Sequence, residues 1–272
     1  MGIFLNPGNV GFKQIIKPKT YVDKTGIIGY LNEWIDTDSR FVCVSRARRF
    51  GKTVAAQTIQ AYYDNSCDSH DLFAPYEIAR DPSYEEHINK YDVIGLDVQS
   101  FFLLDDDPQA FIKRLETAVL EEVCAKWSDI DGLKGMGLVN ALIKVHETTG
   151  AKFVFVIDEW DAVFRYYPND EKLQKKWIHF LRDMFKQSAM NPCVALVYMT
   201  GILPVKKYKT QSSLNQFFEY TMLRPLELEK YVGFLPAEVD ALCEKFDMDR
   251  AEAAEWYDGY VLPHEHHVYN PC

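Results

Sequence analysis

One stretch decides the fold of this 272-residue chain: Phe41-Val42-Cys43-Val44-Ser45-Arg46-Ala47-Arg48-Arg49-Phe50-Gly51-Lys52-Thr53. It opens with a nearly continuous apolar and β-branched run, which is typical of a strand buried on both faces. It ends at the start of an amphipathic segment that predicts a helix over residues 51–63. A buried strand, a tight turn and a helix in direct succession are the context of a phosphate-binding loop, where helix N-terminal amides face an anion.

Strand-like apolar runs and helix-like amphipathic segments continue to alternate along the chain, and this alternation predicts its architecture. Buried strands are predicted at residues 93–98, 153–157 and 194–199, and helices at 108–127, 133–149 and 171–189. Strands alternating with helices predict an α/β fold of the P-loop NTPase type, with a doubly wound, mostly parallel sheet. Residues 1–225 form the predicted core with its N-terminal extension. Residues 226–272 form a small helical lid or subdomain and tail, in which 261–267 is a polar loop.

The residues of the loop are suited to binding a nucleoside triphosphate. Gly51 allows close backbone approach, Lys52 can reach the β- and γ-phosphates, and the Thr53 hydroxyl can coordinate magnesium. The full pattern G-x-x-x-x-G-K-[ST] has Gly where this chain has Arg46, so an ordinary strand–loop–helix corner stays open as an alternative. The predicted nucleotide-binding residues are Arg46, Arg48, Arg49, Phe50, Gly51, Lys52, Thr53 and Thr200.

A second acidic element follows the strand predicted at 153–157. Because parallel strands end at one edge of a sheet, Asp158 is expected beside the loop, where it can hold magnesium. Glu159 is the predicted general base for water, and it is grouped with Lys52 as catalytic. Thr200, at the end of the next strand, is a candidate to sense the γ-phosphate, with a purely structural bond to backbone as the alternative.

Net charge and composition narrow the range of expected binding partners and cellular locations. A net charge of −10 disfavours general nucleic-acid binding, although a local basic patch stays open. No apolar stretch has the length of a membrane span and no signal peptide opens the chain, so a cytoplasmic location is expected. The six cysteines lack C-x-x-C or metal-type spacing and are interpreted as free thiols. The guanine-reading pattern N-K-x-D at residues 89–92 precedes a strand instead of ending one, which favours ATP, with Mg²⁺, over GTP.

Four segments resemble the bacterial and archaeal AAA-ATPase-like family. They are Tyr21-Val22-Asp23-Lys24-Thr25, Arg46-Ala47-Arg48-Arg49-Phe50-Gly51-Lys52-Thr53, Val156-Ile157-Asp158-Glu159-Trp160-Asp161, and Trp256-Tyr257-Asp258-Gly259-Tyr260 with Val268-Tyr269-Asn270-Pro271. These are similar, in order, to the family's Y-V-D-K-T element, its R-P-R-R-F-G-K-[ST] loop, its I-D-E-Y-D strand end and its W-Y-x-G-Y … Y-N-P signature.

The resemblance implies a P-loop ATPase fold and ATP binding. It also accounts for Arg46, since the family lacks the first glycine of the loop. Ala47 replaces the family's proline, which is expected to loosen the start of the loop without removing a phosphate ligand. Longer members continue into a PD-(D/E)XK nuclease-like domain, to which the resemblance does not extend, so nuclease activity is not expected from these residues.

Three functional hypotheses follow. The first is an ATPase that couples magnesium-dependent binding and hydrolysis to conformational change, with a lid that closes over the nucleotide. The alternative is a nucleotide-gated binding module or switch with little or no hydrolysis. A non-enzymatic remnant is the third, and the intact acidic and basic motif residues argue against it. A protein partner or an oligomer stays open, as does the choice of a charge-stabilising arginine among Arg46, Arg48, Arg49 and Arg224.

Overall fold

A computed structural model of the chain describes residues 2–102, 107–205, 214–231, 233–262 and 266–270. The helices are α1 Val10–Ile15, α2 Gly26–Asn32, α3 Lys52–Tyr63, α4 His70–Phe73, α5 Tyr84–His87, α6 Phe111–Lys126, α7 Leu138–Thr149, α8 Ala162–Tyr166, α9 Glu171–Phe185, α10 Pro236–Phe246 and α11 Arg250–Tyr257. The strands are β1 Phe41–Ser45, β2 Asp92–Asp97, β3 Phe153–Asp158, β4 Val194–Gly201, β5 Phe218–Tyr220, β6 Asp258–Leu262 and β7 His266–Tyr269.

The main sheet has the order β2-β3-β4-β1-β5, and every pairing in it is parallel. The predicted doubly wound α/β fold is therefore confirmed, and the four predicted strands are all present. β4 lies between β1 and β3, so the loop after β1 and the carboxylates that end β3 meet at one edge. Ligands of open α/β sheets bind at this carboxyl edge.

Period-two alternation gives this sheet two buried faces. On β1, Val42 and Val44 point into one core, whereas Phe41 and Cys43 point into the other. Helices α1, α2 and α3 cover the first face, and α6, α7 and α9 cover the second. Because both faces are covered, the strands are apolar along their whole length, as the sequence predicted.

Several predicted helices differ at their ends. The segments predicted at 108–127 and 133–149 begin as 3₁₀ turns, Pro108–Ala110 and Leu133–Gly135, before becoming α-helical. The predicted cap of α7 is confirmed, since Gly150 takes the left-handed conformation at φ 74°. The helix predicted to 189 ends at Phe185, and a 3₁₀ turn containing Pro192 leads into β4. Proline lacks the N–H that a continuing helix needs.

The C-terminal region contains more than the predicted helices. α10 and α11 are present, but the polar loop predicted at 261–267 is wrong at both ends, where β6 and β7 pair as an antiparallel hairpin. Residues 263–265 of that prediction, and Pro271 of the family signature, lie outside the described residues. The region has a small core of its own in Val239, Cys243, Ala253 and Tyr269. Its division from the rest at residue 226 stays a prediction.

Two further expectations concern membranes and cysteines. Within the described part of the chain, no helix combines the length and apolar character that a bilayer span requires. The described cysteines are free thiols, namely Cys43, Cys67, Cys124, Cys193 and Cys243.

Candidate functional site

The loop between β1 and α3 is shaped by its backbone. The Arg46 N–H donates to Gly201 O at 3.0 Å, which extends the pairing of β1 with β4 by one residue. The chain then turns through two left-handed residues, Arg49 at φ 69° and Gly51 at φ 73°. A side chain at Gly51 would meet no atom within 4 Å, so the glycine is required by its dihedral angle and not by space. Gly51 is the residue that caps α3, whose first amides face the sheet edge.

The two predicted motifs meet through one short hydrogen bond. Thr53 Oγ1 donates to Asp158 Oδ2 at 2.6 Å, and the Glu159 N–H donates to Asp158 Oδ1 at 3.0 Å. Asp158 is only 7% exposed. Burial, with a smaller contribution from the negative charges of Glu159 and Asp97, raises its pKa from 3.8 to about 6, although the Thr53 hydrogen bond lowers it. The carboxylate is thus held in place at an energetic cost to its charged form.

Lys52 lies inside the loop. Its ammonium donates to Ala47 O at 2.9 Å, and the side chain is 5% exposed. Burial lowers the pKa of Lys52, while the nearby carboxylates of Glu159 and Asp158 oppose that effect. A buried cation directed over the ends of β1 and β3 is a strong attractor for a phosphate anion.

Glu159 has a strained backbone and a charged partner. Its φ of 54° is unusual for a residue with a side chain and costs about 1–2 kcal/mol. Hydrogen bonds on both sides hold it: Trp160 N–H donates to Thr200 O at 3.0 Å, and Ala162 N–H donates to Glu159 O at 2.9 Å. The carboxylate forms an ion pair with Arg165 of α8.

Of these residues, Lys52, Thr53, Glu159 and Arg165 line a cavity of about 580 Å³, a size that accommodates a nucleotide, whereas Asp158 is not part of its lining. Three parts of the chain enclose it: the phosphate loop with the start of α3, the segment after β3, and an aromatic end built from both termini. Lining residues from the first two parts include Arg48, Arg49, Phe50, Gly51, Lys52, Thr53, Glu159 and Arg165. Lining residues from the aromatic end include Ile15, Pro18, Tyr21, Val22, Tyr231 and Phe234.

Arg46 does not line this cavity. Its side chain is 2% exposed, and Nη1 donates to Ser45 O at 3.1 Å and to Tyr220 O at 3.0 Å, tying β1 to β5. Burial lowers the pKa of this guanidinium to about 10. A role for Arg46 in nucleotide binding stays a prediction; in this geometry Nη1 is engaged by backbone carbonyls, while Nη2 has no hydrogen-bond partner among the described residues.

Thr200 also lies away from the cavity lining. It is fully buried beside β1, pairing with Val44, and its hydroxyl has no hydrogen-bond partner among the described residues. Its carbonyl, not its hydroxyl, serves the site by holding Trp160. A role for Thr200 in sensing phosphate stays a prediction. Arg224, a candidate for charge stabilisation, is exposed and likewise does not line the cavity.

The other loop residues, Arg48, Arg49 and Phe50, differ in their exposure to solvent. Arg48 and Arg49 are exposed at the cavity rim, and within the described ranges neither forms an ion pair. Phe50 is fully buried, and its ring stands edge-on to Tyr260 of β6 at 4.8 Å between centroids. This packing attaches the phosphate loop to the C-terminal hairpin. No pattern in the sequence predicted it.

The donor set at the loop fits magnesium. Mg²⁺ usually takes one or two protein oxygens and completes its shell with water and substrate phosphates. The Thr53 hydroxyl and the Asp158 carboxylate provide such a pair. In the part of the chain that the structure describes, no cluster of three or more His, Cys, Asp or Glu side chains could form a metal cage made only of protein ligands.

Sequence reasoning missed two residues at this site. Arg165 lies four residues after Asp161, a spacing that permits an ion pair on one helix face, and this signal could have found it. Lys24 was noted only within its motif. Its ammonium donates to Lys230 O at 2.7 Å and pairs with Glu238 at 2.6 Å, and no local pattern reveals contacts between such distant segments.

Comparison with known families identifies the chain. The family model described as "Predicted AAA-ATPase", of the AAA-ATPase-like family, matches residues 8–210. This chain belongs to that family. No curated protein matches the sequence.

Solved structures that match this chain share little sequence with it. One is a DNA replication initiation factor, with 10% identity and a TM-score of 0.39 over 85% of this chain and 53% of that one. Another is PCH-2 of C. elegans, with 11% identity and a TM-score of 0.40 over 93% and 57%. A third is AMPPCP-bound DnaA from Aquifex aeolicus, with 10% identity and a TM-score of 0.37 over 87% and 57%. The chain spans little more than half the length of these structures.

Proposed function

We propose that this protein is a magnesium-dependent ATPase that binds ATP in the cavity at the carboxyl edge of its sheet. One observation carries the proposal: Thr53 and Asp158, from elements far apart in sequence, meet at 2.6 Å beside the buried ammonium of Lys52. A hydroxyl, a carboxylate and a lysine gathered at a helix N-terminus are the groups that P-loop NTPases use to hold a triphosphate and its metal.

The phosphates are held by charge and by backbone. Lys52 contacts the β- and γ-phosphates in place of Ala47 O, and the amides that follow Gly51 donate to phosphate oxygens. Arg48 and Arg49, exposed at the rim, add positive charge where the anion enters. Thr53 and Asp158 would hold Mg²⁺, which supplies neutralisation of the phosphate charge when bound.

Glu159 is the proposed base. Its carboxylate lines the same cavity as Lys52 and Thr53, so it can accept a proton from a water that attacks the γ-phosphate. The strained, doubly held backbone fixes the direction of this side chain. Strain of this kind is concentrated at functional sites, where surrounding contacts maintain it.

The aromatic end of the cavity suits the purine base of a nucleotide. Tyr21, Tyr231 and Phe234 present flat apolar surface, on which a purine stacks favourably. Asn89, part of the discounted guanine-reading pattern, has its amide committed elsewhere. It donates to Asp64 O at 2.6 Å and accepts from Ser69 N–H at 2.8 Å. This commitment favours ATP over GTP as the nucleotide.

Conformational coupling passes through the contacts that connect the cavity to the C-terminal region. Lys24 of the N-terminal segment pairs with Glu238 of α10, and Phe50 of the phosphate loop packs against Tyr260. A nucleotide that moves the loop therefore moves the hairpin, and α10 with it. A protein partner or another copy of the chain would sense this movement.

A second function is favoured by a different contact. Glu159 forms an ion pair with Arg165, and an oxygen engaged in this way is not available to accept a proton from water. A switch that binds ATP and hydrolyses it very slowly is consistent with that arrangement.

Titration calorimetry of the chain with ATP, ADP and GTP in magnesium, followed by a phosphate-release assay, tests these proposals. The ATPase requires ATP binding in preference to GTP and phosphate release that depends on magnesium. Binding without release supports the switch. Absence of binding for all three nucleotides overturns both.

A further inference from the structure

Arg165 reaches two carboxylates with different nitrogens. Its Nε lies 3.2 Å from Asp161 Oδ2, and its Nη2 pairs with Glu159 Oε2. The side chain also lines the cavity together with Lys52 and Thr53. Burial lowers the pKa of Lys52, and the charge of Arg165 lowers it further, so the two cations lie within electrostatic range of each other. Arg165 therefore faces the region where Lys52 meets a terminal phosphate.

Asp161 is a fixed anchor for one end of this guanidinium. It is fully buried, and its Oδ2 accepts hydrogen bonds from Ile202 N–H at 3.1 Å and Leu203 N–H at 2.9 Å. These bonds tie it to the chain that leaves β4. Nε lies in ion-pair range of this fixed charge without forming a hydrogen bond to it, whereas the Nη end of Arg165 is the part that can change partners.

On the cavity side, Glu159 is the partner of Arg165. Its backbone is held on both sides, so the Cα of Glu159 stays in place when the guanidinium turns, and the carboxylate moves only by side-chain rotation. A terminal phosphate carries more negative charge than one carboxylate, and its oxygens match the planar fork of arginine. An anion placed over Lys52 thus competes with Glu159 for Nη2.

We infer that Arg165 senses the γ-phosphate and releases Glu159 to act as a base, a role that rests on the proposed ATPase function. With ADP, which lacks this group, the Arg165–Glu159 pair stays closed. With ATP, Nη2 moves to a γ-phosphate oxygen while Nε stays near Asp161. Glu159 then accepts a proton as water bonds to the γ-phosphorus, and the bond from phosphorus to the bridging oxygen breaks to leave ADP.

The test is a double-mutant cycle read by calorimetry with ATP and ADP in magnesium. Arg165→Gln should weaken ATP binding about tenfold and leave ADP binding within about twofold, because only ATP offers the charge-assisted bond. Glu159→Gln should tighten ATP binding about threefold by removing the competitor, and this gain should vanish in the double variant. Arg182→Gln, which removes an exposed arginine paired with Asp183, is the matched control and should change neither affinity.

A conservative variant serves as the control for correct folding. Arg165→Lys keeps a cation beside buried Asp161 but cannot hold that carboxylate and a phosphate at once. It should fold normally and still lose the preference for ATP over ADP.

Other outcomes overturn the inference without touching the proposed function. Equal weakening of ATP and ADP in both Arg165 variants would show a structural role only. A Glu159→Gln gain that persists without Arg165 would show that simple charge repulsion causes it. If the wild-type chain binds neither nucleotide, the proposed function fails and this inference fails with it.

Discussion

The two ends of the cavity are built in different ways. At the phosphate end, Lys52 and Asp158 are buried and stand on α3 and β3, which belong to the main sheet and its largest cores. At the aromatic end, Tyr21 packs against one of these cores, whereas Phe234 packs on a separate core of four buried residues in the C-terminal region, which the Lys24–Glu238 pair connects to the N-terminal segment. The phosphate end thus rests on the sheet, and the aromatic end depends in part on a small core and one ion pair.

Under the proposed function, this difference separates chemistry from movement. The groups proposed to hold the phosphates and magnesium stand on or next to strands buried on both faces. Segments with few buried apolar contacts open at low free-energy cost, which suits a part of the molecule that closes on a ligand and opens again. Phe50 joins the two ends, because it belongs to the phosphate loop and packs against Tyr260 of the hairpin.

The largest expected effect belongs to the phosphate end. Glu159→Gln should lower ATP turnover by about 100- to 10,000-fold, the range attributed to a general base, and should leave ATP bound. Single-turnover phosphate release measures it. Asp183→Asn, an exposed carboxylate on α9, should turn over ATP like the wild type. Retained turnover in Glu159→Gln would remove Glu159 as the base.

A second effect at the same end concerns stability. The pKa of Asp158 is raised from 3.8 to about 6 by burial, so the folded chain binds its proton more tightly than the unfolded chain does. The stabilising effect of that proton is full below pH 3.8 and is lost as pH rises through 6. Asp158→Asn removes the buried charge, and its amide can accept from the Glu159 N–H and donate to the Thr53 hydroxyl oxygen. It should therefore be more stable than wild type at pH 7 by about 1–3 kcal/mol.

Thermal unfolding of both proteins from about pH 3.5 to about pH 7.5, a range that brackets the pKa values of 3.8 and about 6, measures this effect. The advantage of Asp158→Asn should shrink as pH falls below 6, where the wild-type carboxyl also becomes neutral. The same variant should lose magnesium-dependent tightening of ATP binding, since an amide is a poorer magnesium ligand. A variant that is less stable than wild type at pH 7 would contradict this account of Asp158.

The smallest effect is expected at the aromatic end. Lys24→Ala removes a partly buried ion pair and a bond to Lys230 O, so ATP affinity should fall about two- to fivefold. Amide hydrogen exchange should rise in α10 while α3 stays protected. Lys175→Ala, which breaks an exposed pair on α9, serves as control. Equal exchange in α10 of wild type and Lys24→Ala would mean that this pair does not hold the two segments together.

Sequence alone predicted the strands and the helix of the phosphate end because their signals are local. β1, the loop and α3 are consecutive, and Asp158 follows a strand whose apolar run is unmistakable. The direction of one side chain was beyond such reasoning. Arg46 reads as a phosphate ligand by its neighbours, but the backbone continues the sheet through it and turns its guanidinium towards β5, a strand of three residues that was not predicted.

The aromatic end could not be predicted in the same way, because its contacts join residues from the two halves of the chain. In the β6–β7 hairpin, Tyr260 packs against Phe50 of the phosphate loop, and Val268 is buried in the core that also contains Phe50. Lys24 and Glu238 are separated by 214 positions, and no local pattern pairs them.

The central claim is that buried Lys52 binds the phosphates of ATP. Calorimetric titration of ATP with magnesium into wild type and Lys52→Ala, with the surface variant Lys175→Ala alongside, tests it most directly. We predict that Lys52→Ala weakens ATP binding about 100-fold or more, as expected for loss of charge-assisted bonds in a buried site, and that Lys175→Ala binds like wild type. Unchanged ATP affinity in a folded Lys52→Ala protein would contradict the assignment of this loop.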